Sequence, residues 1–224
     1  YRQYSKKLGF QVKEVKTNYG IVDLADLSSK LREASALILQ NPAGYFAEQP
    51  SKDIYKLCKG KSVVIADITG SIGTSMCDGD FADILVCSFG KWKPINLGYG
   101  GFISFNDKAY FNFVKKLMKE KPNLSFKDDS KYAILLKKLN ALDMKYKFFF
   151  EINKKIKTDL KEFDIIHKNR KGINVIIKFD NETEKEKIIK YCKNNNYDYV
   201  LCPKYIRVNE KAISIEVKRL GDKK

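Results

Sequence analysis

Residues 82–101, "ADILVCSFGKWKPINLGYGG", combine an apolar run with an unusual loop. The run is typical of a buried strand and leads into Ser88 and Phe89. Lys91 and Lys93 follow on either side of the only tryptophan, and three glycines then fall within positions 98–101, which predicts a tight turn. An ordinary surface loop does not need this composition, whereas a reactive amine beside a bound molecule makes use of all of it.

Three more apolar runs accompany this strand, and most of the segments between them have helical spacing. Apolar strands that alternate with helices are typical of a parallel sheet covered on both faces, which binds ligands beyond the carboxyl ends of its strands. Some antiparallel pairing is expected beside the glycine turn. Residues 10–17 alternate in polarity and predict one further strand. We therefore predict an α/β fold with a mostly parallel sheet built from residues 35–40, 62–67, 82–89 and 100–105.

The pattern changes after residues 121–125, where a lysine-rich portion begins. Asn181, with Glu184 three residues later, predicts the start of a helix. The predicted elements of this portion are helices at 129–147, 150–162 and 181–195, a strand at 172–179, and a hairpin about the turn 209–211. We predict a first domain over residues 1–124, and a helical connection with a small α+β domain over residues 125–224.

The net charge of +16 is distributed unevenly along the 224 residues. Residues 1–120 carry a net charge of +5 and residues 121–224 a net charge of +11. A basic surface attracts nucleic acid or phosphorylated ligands. The lysines are nevertheless mixed with acidic residues along helices, and no nucleic-acid-binding motif is present. A solvated lysine-rich surface is therefore the favoured interpretation, and nucleic-acid binding is the minor one.

Five cysteines without a CxxC pair indicate reduced thiols and predict a cytoplasmic protein. No run approaches the length of a membrane span, so no membrane association is expected. A single histidine, His167, makes a histidine-based zinc cluster or a Ser-His-Asp triad hard to build, and no metal site is expected.

Asp67 ends the apolar run "VVIAD" and is the first candidate site residue. A carboxylate at such a place often only caps a turn. Its functional interpretation is a fixed negative charge that keeps a heteroaromatic nitrogen protonated, as pyridoxal phosphate (PLP) requires. A lysine that forms a Schiff base must in turn be partly desolvated so that its amine is nucleophilic. Trp92, Ser88 and the glycine turn are residue types that suit such a lysine.

These motifs resemble those of the fold-type-I PLP enzymes, and most closely those of the DegT-like sugar aminotransferases. "VVIADITGSIG" contains the aspartate as Asp67, and "SFGKWKPINLGYGG" contains the serine, the lysine and the glycine turn. The resemblance implies that Lys93 forms the Schiff base, that Asp67 pairs with the pyridine nitrogen and that Ser88 contacts the phosphate. Another branch of the superfamily has an Asn-Pro-x-Gly motif, and by resemblance to it Asn41 contacts the phenolic oxygen of the cofactor.

Alternatives remain open at the lysine. Lys91 takes the role of Lys93 if the motif is Ser-x-x-Lys, although the glycine spacing favours Lys93. The sequence also departs from the family at three places. Gly70 and Ile72 stand where a glutamine and a histidine are usual, and Pro94 stands where asparagine is usual. The third departure is that the family's opening segment has no counterpart before Tyr1, so the large domain is expected to be incomplete at its N-terminus.

The resemblance implies a PLP-dependent transferase, and within that class an aminotransferase acting between an amino donor and a keto acceptor. The acceptor by family analogy is a sugar nucleotide, and the family's sites form in homodimers. Two alternatives remain: a non-catalytic relative that serves as a structural or regulatory module, and a basic nucleic-acid-binding protein.

Overall fold

Four short strands form the central sheet of the computed structural model, which describes residues 1–121, 129–203 and 208–222. They are β3 (Ala36–Gln40), β4 (Val63–Asp67), β5 (Ile84–Ser88) and β6 (Gly101–Phe105), in the spatial order β3-β4-β5-β6. The first three are parallel, and β6 is antiparallel to β5. Both the mostly parallel sheet and the antiparallel pairing beside the glycine turn are therefore confirmed.

Of the three connections between the central strands, all of them within the described residues, only the one from β3 to β4 contains an α-helix, so the prediction that most of these segments are helical is wrong. Asp23 caps another helix of this half, since its side chain accepts hydrogen bonds from the backbone N–H groups of Ala25 and Asp26. The helices of this half are α1 (Arg2–Lys7), α2 (Leu24–Lys30), α3 (Ser51–Cys58) and α4 (Lys108–Glu120).

The strand predicted over residues 10–17 is wrong. Only Thr17 belongs to a strand, in the two-residue β1 (Thr17–Asn18) that pairs with β2 (Ile21–Val22). Most of residues 10–17 are exposed or half-buried and have no neighbouring strand. Alternating polarity alone does not make a strand without a partner for its backbone groups.

The two faces of the central sheet differ in burial. On the covered face, Leu37, Leu39, Val64, Ala66 and Cys87 are buried. On the open face, which bears Ile38, Ile65, Ile84, Ile103 and Phe105, the side chains are half-buried or exposed, with Ile38 at 38% and Ile103 at 50%. The prediction of a sheet covered on both faces is thus correct for one face only within the described residues.

The second half of the chain contains a small α+β unit, as predicted. Its antiparallel sheet has the order β7 (Val175–Lys178), β9 (Ala212–Ile215), β8 (Tyr199–Leu201), and the adjacent strands β7 and β9 are almost wholly buried. Asn181 caps α7 (Glu182–Asn194) by accepting a hydrogen bond from the backbone N–H of Glu184. The elements are α5 (Ser130–Asn140), α6 (Leu142–Asp159), β7 (Val175–Lys178), α7 (Glu182–Asn194), β8 (Tyr199–Leu201) and β9 (Ala212–Ile215).

Two details of this half differ from the predictions or lie beyond them. The long helices meet at Ala141 rather than near residue 148. The predicted domain boundary at 124/125 and most of the first strand of the predicted hairpin (205–208) lie outside the described residues. The division of the chain at that boundary therefore stays a prediction.

The small unit packs closely on the loop that follows β3. The backbone carbonyl of Tyr45 accepts hydrogen bonds from the N–H groups of Ile173 (2.7 Å) and Asn174 (2.9 Å). A Cβ atom on Gly172 would lie only 2.4 Å from the carbonyl carbon of Phe46. One hydrophobic cluster includes buried residues from both halves of the chain, so the two units share a core.

Candidate functional site

The candidate site lies where the parallel strands end. Gln40 pairs with Asp67 across β3 and β4, Asp67 pairs with Val86 of β5, and Ser88 ends β5. Because successive side chains alternate between the faces of a strand, Gln40, Asp67 and Ser88 all lie on the open face. Parallel strands bring their carboxyl ends to one edge, which is the usual position for a ligand in this class of sheet.

Asp67 is half-buried and accepts two hydrogen bonds. One comes from the phenol of Tyr1, with 2.5 Å between Tyr1 Oη and Asp67 Oδ2, and the other from the backbone N–H of Thr69 at 3.0 Å. Burial and then the hydrogen bond to Asp67 raise the pKa of the Tyr1 phenol. The phenol of Tyr1 is therefore protonated and donates the hydrogen bond. Asp67 is its acceptor, on the open face of the sheet.

Lys93 is half-buried, and its amine meets a second phenol. Lys93 Nζ donates a hydrogen bond to Tyr45 Oη at 2.6 Å, and Nζ lies 5.1 Å from the centre of the Tyr45 ring. Lys91 is exposed, and its amine lies 4.8 Å from the ring centre of Trp92. The structure thus separates the two lysines of the loop into a solvent-exposed one and one that points to the protein.

The charges of Asp67 and Lys93 both affect the buried side chains of Tyr45 and Cys87. Burial raises the pKa of the Tyr45 phenol, while the positive charge of Lys93 opposes that rise and the negative charge of Asp67 adds to it. Burial likewise raises the pKa of the Cys87 thiol to about 12, and here too Asp67 adds to the rise and Lys93 opposes it. Both charges therefore act on the same two buried side chains.

Ser88 stands at the exposed end of β5. Its backbone N–H donates to Thr69 Oγ1 at 3.0 Å, and its hydroxyl oxygen accepts a hydrogen bond from the N–H of Gly90 at 3.2 Å. Thr69 thus connects the turn after Asp67 to the end of the next strand. The hydroxyl of Ser88 lies at the surface of the open face, beside the lysine loop.

The backbone N–H of Asn41 donates to the carbonyl of Asp67 at 2.9 Å, but the side chain of Asn41 is buried among residues of neighbouring loops. Its amide nitrogen donates to Ser51 Oγ (3.2 Å) and to the carbonyl of Met76 (2.7 Å), and its amide oxygen accepts from the N–H of Gln49 (3.0 Å). These bonds commit the buried side chain to holding the loop after β3 in place. A contact between Asn41 and a cofactor therefore stays a prediction that none of these bonds supports.

Two groups of residues at the site were missed by reasoning from sequence. The first is the pair of phenols, Tyr1 and Tyr45. The second is the ion pair of Lys218 and Glu216 in the small unit, where Lys218 Nζ lies 3.0 Å from Glu216 Oε2 and 3.8 Å from the centre of the Tyr45 ring. No local pattern marks Lys218, because its role depends on a contact between distant parts of the chain.

Gly70 was the one available signal for Tyr45. A Cβ atom at this position would lie 2.7 Å from Tyr45 Cδ1, so the absence of a side chain there makes room for the phenol ring. Gly70 stands where the resembled family has glutamine. The glycine that departs from the family motif is therefore the residue that makes room for the ring of Tyr45.

The residues present fit PLP in charge and in hydrogen bonding. Asp67 has the carboxylate that a pyridinium nitrogen needs, Lys93 has an amine and Ser88 has a hydroxyl, all at one edge of the sheet. The observation that supports this fit is that Asp67 already accepts a hydrogen bond from a ring substituent, the Tyr1 phenol. A ring bound between Asp67 and Lys93 has to displace or share the two phenol contacts.

Other classes of site were also sought in the described residues. Across residues 1–121, 129–203 and 208–222, no group of three or more His, Cys, Asp or Glu side chains is arranged to hold a metal ion. Over the same ranges, every helix is too short or too polar to cross a membrane.

Comparison with known proteins identifies a domain family for part of the chain. Residues 143–224 match the family described as the MJ1341 family C-terminal domain. No curated protein matches the chain.

Solved structures resemble a larger part of the chain. An aspartate aminotransferase of subgroup IV from Thermus thermophilus has a TM-score of 0.70 at 12% identity, over 96% of this chain and 68% of its own. NtdA from Bacillus subtilis, with bound cofactor PMP, has a TM-score of 0.68 at 15% identity, over 91% of this chain and 57% of its own. A serine palmitoyltransferase from S. paucimobilis, with a PLP-myriocin aldimine, has a TM-score of 0.65 at 14% identity, over 86% of this chain and 53% of its own.

These likenesses establish the fold. The chain has the fold of the fold-type-I PLP enzymes, and it spans about half the length of the serine palmitoyltransferase chains that it matches (53%). The identities are 12–15%, and at that level a shared fold does not carry the substrate of a relative.

Proposed function

We propose that the chain binds PLP and acts as an aminotransferase, moving an amino group between an amino donor and a keto acceptor. The observation that supports this most directly is that Asp67 ends β4 while Lys93 lies in the loop that follows the neighbouring strand β5. Asp67 and Lys93 both act on the buried Tyr45 and Cys87 side chains, in a fold whose solved relatives include PLP- and PMP-bound proteins.

In this proposal each residue has a definite role. Lys93 would hold the cofactor through its amine until the amino group of the donor takes its place, and the freed amine would then move a proton at the carbon atom of the substrate that bears the amino group. Asp67 accepts a hydrogen bond from the ring nitrogen and keeps it protonated, while Ser88 donates to the phosphate. PLP, when bound, supplies an electron sink for the reaction. Asn41 remains a candidate for a contact with the cofactor, and its observed hydrogen bonds hold the loop after β3 in place.

The DegT-like assignment, a sugar-nucleotide acceptor and the homodimer belong to the same proposal. The open face supports the homodimer, because exposed apolar side chains such as Ile38 and Ile103 on a sheet mark an interface. Sedimentation of the purified chain tests this part. A species of twice the chain mass supports it, and a monomer at all accessible concentrations contradicts it.

The experiment that tests PLP binding uses the two lysines as a matched pair. The wild type, Lys93→Ala and Lys91→Ala are incubated with PLP, reduced with borohydride and mapped by mass spectrometry of their peptides. We expect the PLP label on Lys93 in the wild type and in Lys91→Ala, and no label in Lys93→Ala. The physical reason is that the amine of Lys93 points to the protein beside the strand ends that carry Asp67 and Ser88, where PLP is proposed to bind, whereas the amine of Lys91 points to solvent.

Other outcomes are equally informative. A label on Lys91 shows that the motif has the shorter Ser-x-x-Lys register. A folded protein with no label contradicts PLP binding and favours the second candidate function, a non-catalytic relative of the same fold. One observation supports that candidate: Tyr45 takes the room left by Gly70 and engages Lys93, while Tyr1 engages Asp67.

Nucleic-acid binding is the third candidate and rests on the net charge of +16 alone. Retention of nucleic acid that falls steeply with added salt, in a protein without the PLP label, supports it over the other two.

A further inference from the structure

Tyr45 has an unusual combination of backbone conformation, burial and contacts. Its φ is +69°, in the left-handed region that residues other than glycine, asparagine and aspartate seldom adopt, and its side chain is only 8% exposed. Its ring lies over Gly70, where any side chain would collide with it. The surrounding structure therefore holds this phenol in one place.

Contacts with the small unit contribute much to fixing Tyr45 in this position. Ile173 and Asn174 donate their backbone N–H groups to the Tyr45 carbonyl. The ammonium of Lys218, which is 3% exposed, lies 3.8 Å from the centre of the Tyr45 ring. A cation at this distance from an aromatic face is attracted by the ring quadrupole, and the attraction is stronger where water is excluded.

Lys218 is itself fixed by a buried carboxylate. Its Nζ lies 3.0 Å from Glu216 Oε2, and Glu216 Oε1 accepts hydrogen bonds from Ser214 Oγ (2.7 Å) and Asn174 Nδ2 (3.2 Å). Burial lowers the pKa of the Lys218 amine, and the charge of Glu216 opposes that effect. A continuous path of contacts thus runs from the sheet of the small unit through Lys218 and Tyr45 to Lys93.

We propose that Tyr45 is a positioning residue for the amine of Lys93, and that Lys218 holds the Tyr45 ring in the orientation that this requires. The catalytic role of the contact between Tyr45 and Lys93 rests on the proposed PLP chemistry. The contact itself is present in the structure without the cofactor. The side chain of lysine has four rotatable carbons, and holding its amine in one place costs conformational entropy. A hydrogen bond to a phenol that is already fixed restricts the amine before any ligand arrives.

The ordinary alternative is that the Tyr45 hydroxyl merely satisfies its own hydrogen-bonding need. The two interpretations differ in what happens to Lys93 when the hydroxyl is removed. Tyr45→Phe is the suitable variant, because it keeps the ring that packs on Gly70 and faces Lys218. The reactivity of the Lys93 amine can then be measured without PLP.

The experiment is trace acetylation of the full chain with acetic anhydride, followed by peptide mass spectrometry. Lys91 serves as the internal reference, because its amine is exposed and lies over the ring of Trp92 rather than against Tyr45. We expect Lys93 to react more slowly than Lys91 in the wild type. Loss of one ordinary hydrogen bond predicts an increase of about five-fold in the Lys93:Lys91 ratio for Tyr45→Phe. An unchanged ratio in a folded variant overturns the proposal.

Lys218→Met tests the second part, because methionine keeps most of the side-chain volume and removes the cation from the ring face. We expect the Lys93:Lys91 ratio to rise here too, by less than in Tyr45→Phe, since the phenol remains but is less well held. A ratio equal to that of the wild type overturns the role of Lys218. Circular dichroism of each variant shows whether the fold is retained.

Borohydride trapping with PLP separates this inference from the proposed function. If the wild type traps PLP on Lys93 and Tyr45→Phe traps it more slowly, the positioning role is supported. If both trap it at the same rate and the acetylation ratios also agree, the positioning role is overturned while PLP binding stands. If neither protein traps PLP but the ratios differ, the contact is supported and the proposed function fails.

Discussion

The two larger sheets that the structure describes differ in how completely other residues cover them. In the small unit, β7 and β9 are buried along almost their whole length, and even polar side chains such as Glu216 and Ser214 are enclosed there. In the central sheet one face is buried, while the open face exposes apolar side chains such as Ile38 and Ile103. Every candidate site residue on a central strand lies at the edge of that open face.

This difference separates two requirements that a single chain has to meet. Buried strands such as β7 and β9 contribute stability through the apolar area that they remove from water. An open face leaves functional groups such as Asp67 and Ser88 accessible to a ligand or to another chain. The candidate site residues therefore lie on the less covered sheet, and Lys218 of the small unit contacts them through Tyr45 of the loop after β3.

The sharpest test of this comparison is the same change, isoleucine to alanine, made in each of the two sheets. Ile215→Ala in β9 removes a fully buried side chain (0% exposed), and we expect the free energy of unfolding to fall by about 2–5 kcal/mol. Ile103→Ala in β6 removes a side chain that is 50% exposed, and we expect a loss below about 1 kcal/mol. Urea unfolding followed by circular dichroism measures both.

Equal losses for the two variants would break the comparison. They would mean that the open face is covered in solution, and a concentration-dependent unfolding midpoint for the wild type would then identify a second copy of the chain as the cover.

A second test concerns the support of the site. Gly70→Ala places a methyl group 2.7 Å from Tyr45 Cδ1 and 3.1 Å from Pro42 Cδ, so the loop has to shift. We expect a loss of about 1–3 kcal/mol in the free energy of unfolding, as for other overpacked positions. Thermal or urea unfolding measures it.

Gly79→Ala is the matched control, because its new Cβ would meet only Leu85 Cδ1 at 4.0 Å, an ordinary contact. If the two alanine variants unfold alike, the ring of Tyr45 is not confined by Gly70 in the way that the structure indicates.

The smallest expected effect is a dependence on pH that arises on α6, the helix that packs on the small sheet. Burial lowers the pKa of the Lys157 amine to about 8, and its Nζ donates to the carbonyl of Arg170 at 2.8 Å. Between this pKa and the ordinary value of 10.5, the unfolded chain binds more protons than the folded one, so stability rises with pH across that window.

Lys157→Met removes this contribution. We expect the difference in stability between the wild type and Lys157→Met to shift in favour of the wild type by about 1–2 kcal/mol from pH 8 to pH 10, less than the full pKa shift implies because the side chain is partly exposed. Lys154→Met, on the exposed side of the same helix, is the control. A difference that does not vary with pH would show that Lys157 is solvated.

Much of the fold follows from the sequence, because the apolar runs at 35–40, 62–67, 82–89 and 100–105 are short and bounded by polar or glycine residues. Local signals such as the cap at Asn181 also depend only on neighbouring residues. A run of apolar residues, however, does not reveal which face of a strand will be covered. The open face could therefore be found only from the structure.

The same limit applies to the site. Asp67, Ser88 and Lys93 could be predicted as site residues because each stands at or shortly after the end of an apolar run, at the spacing of the resembled motif. Tyr45 and Lys218 were not, because their contact joins a loop of the first half to the end of the second. Charge patterns along the sequence presented Lys218 as one more surface lysine, although it is among the most buried charged residues that the structure describes.

The close approach of Gly172 to Phe46 has a consequence for the descent of this protein. Any other amino acid at position 172 would bring a side-chain carbon to 2.4 Å from the Phe46 backbone. A single substitution of Gly172 is therefore incompatible with the observed contact between the small unit and the loop after β3. A lineage that changes the position has to rebuild the loop after β3 in the same interval. Glycine at this place in an alignment would therefore mark the descendants whose two halves are joined as they are here.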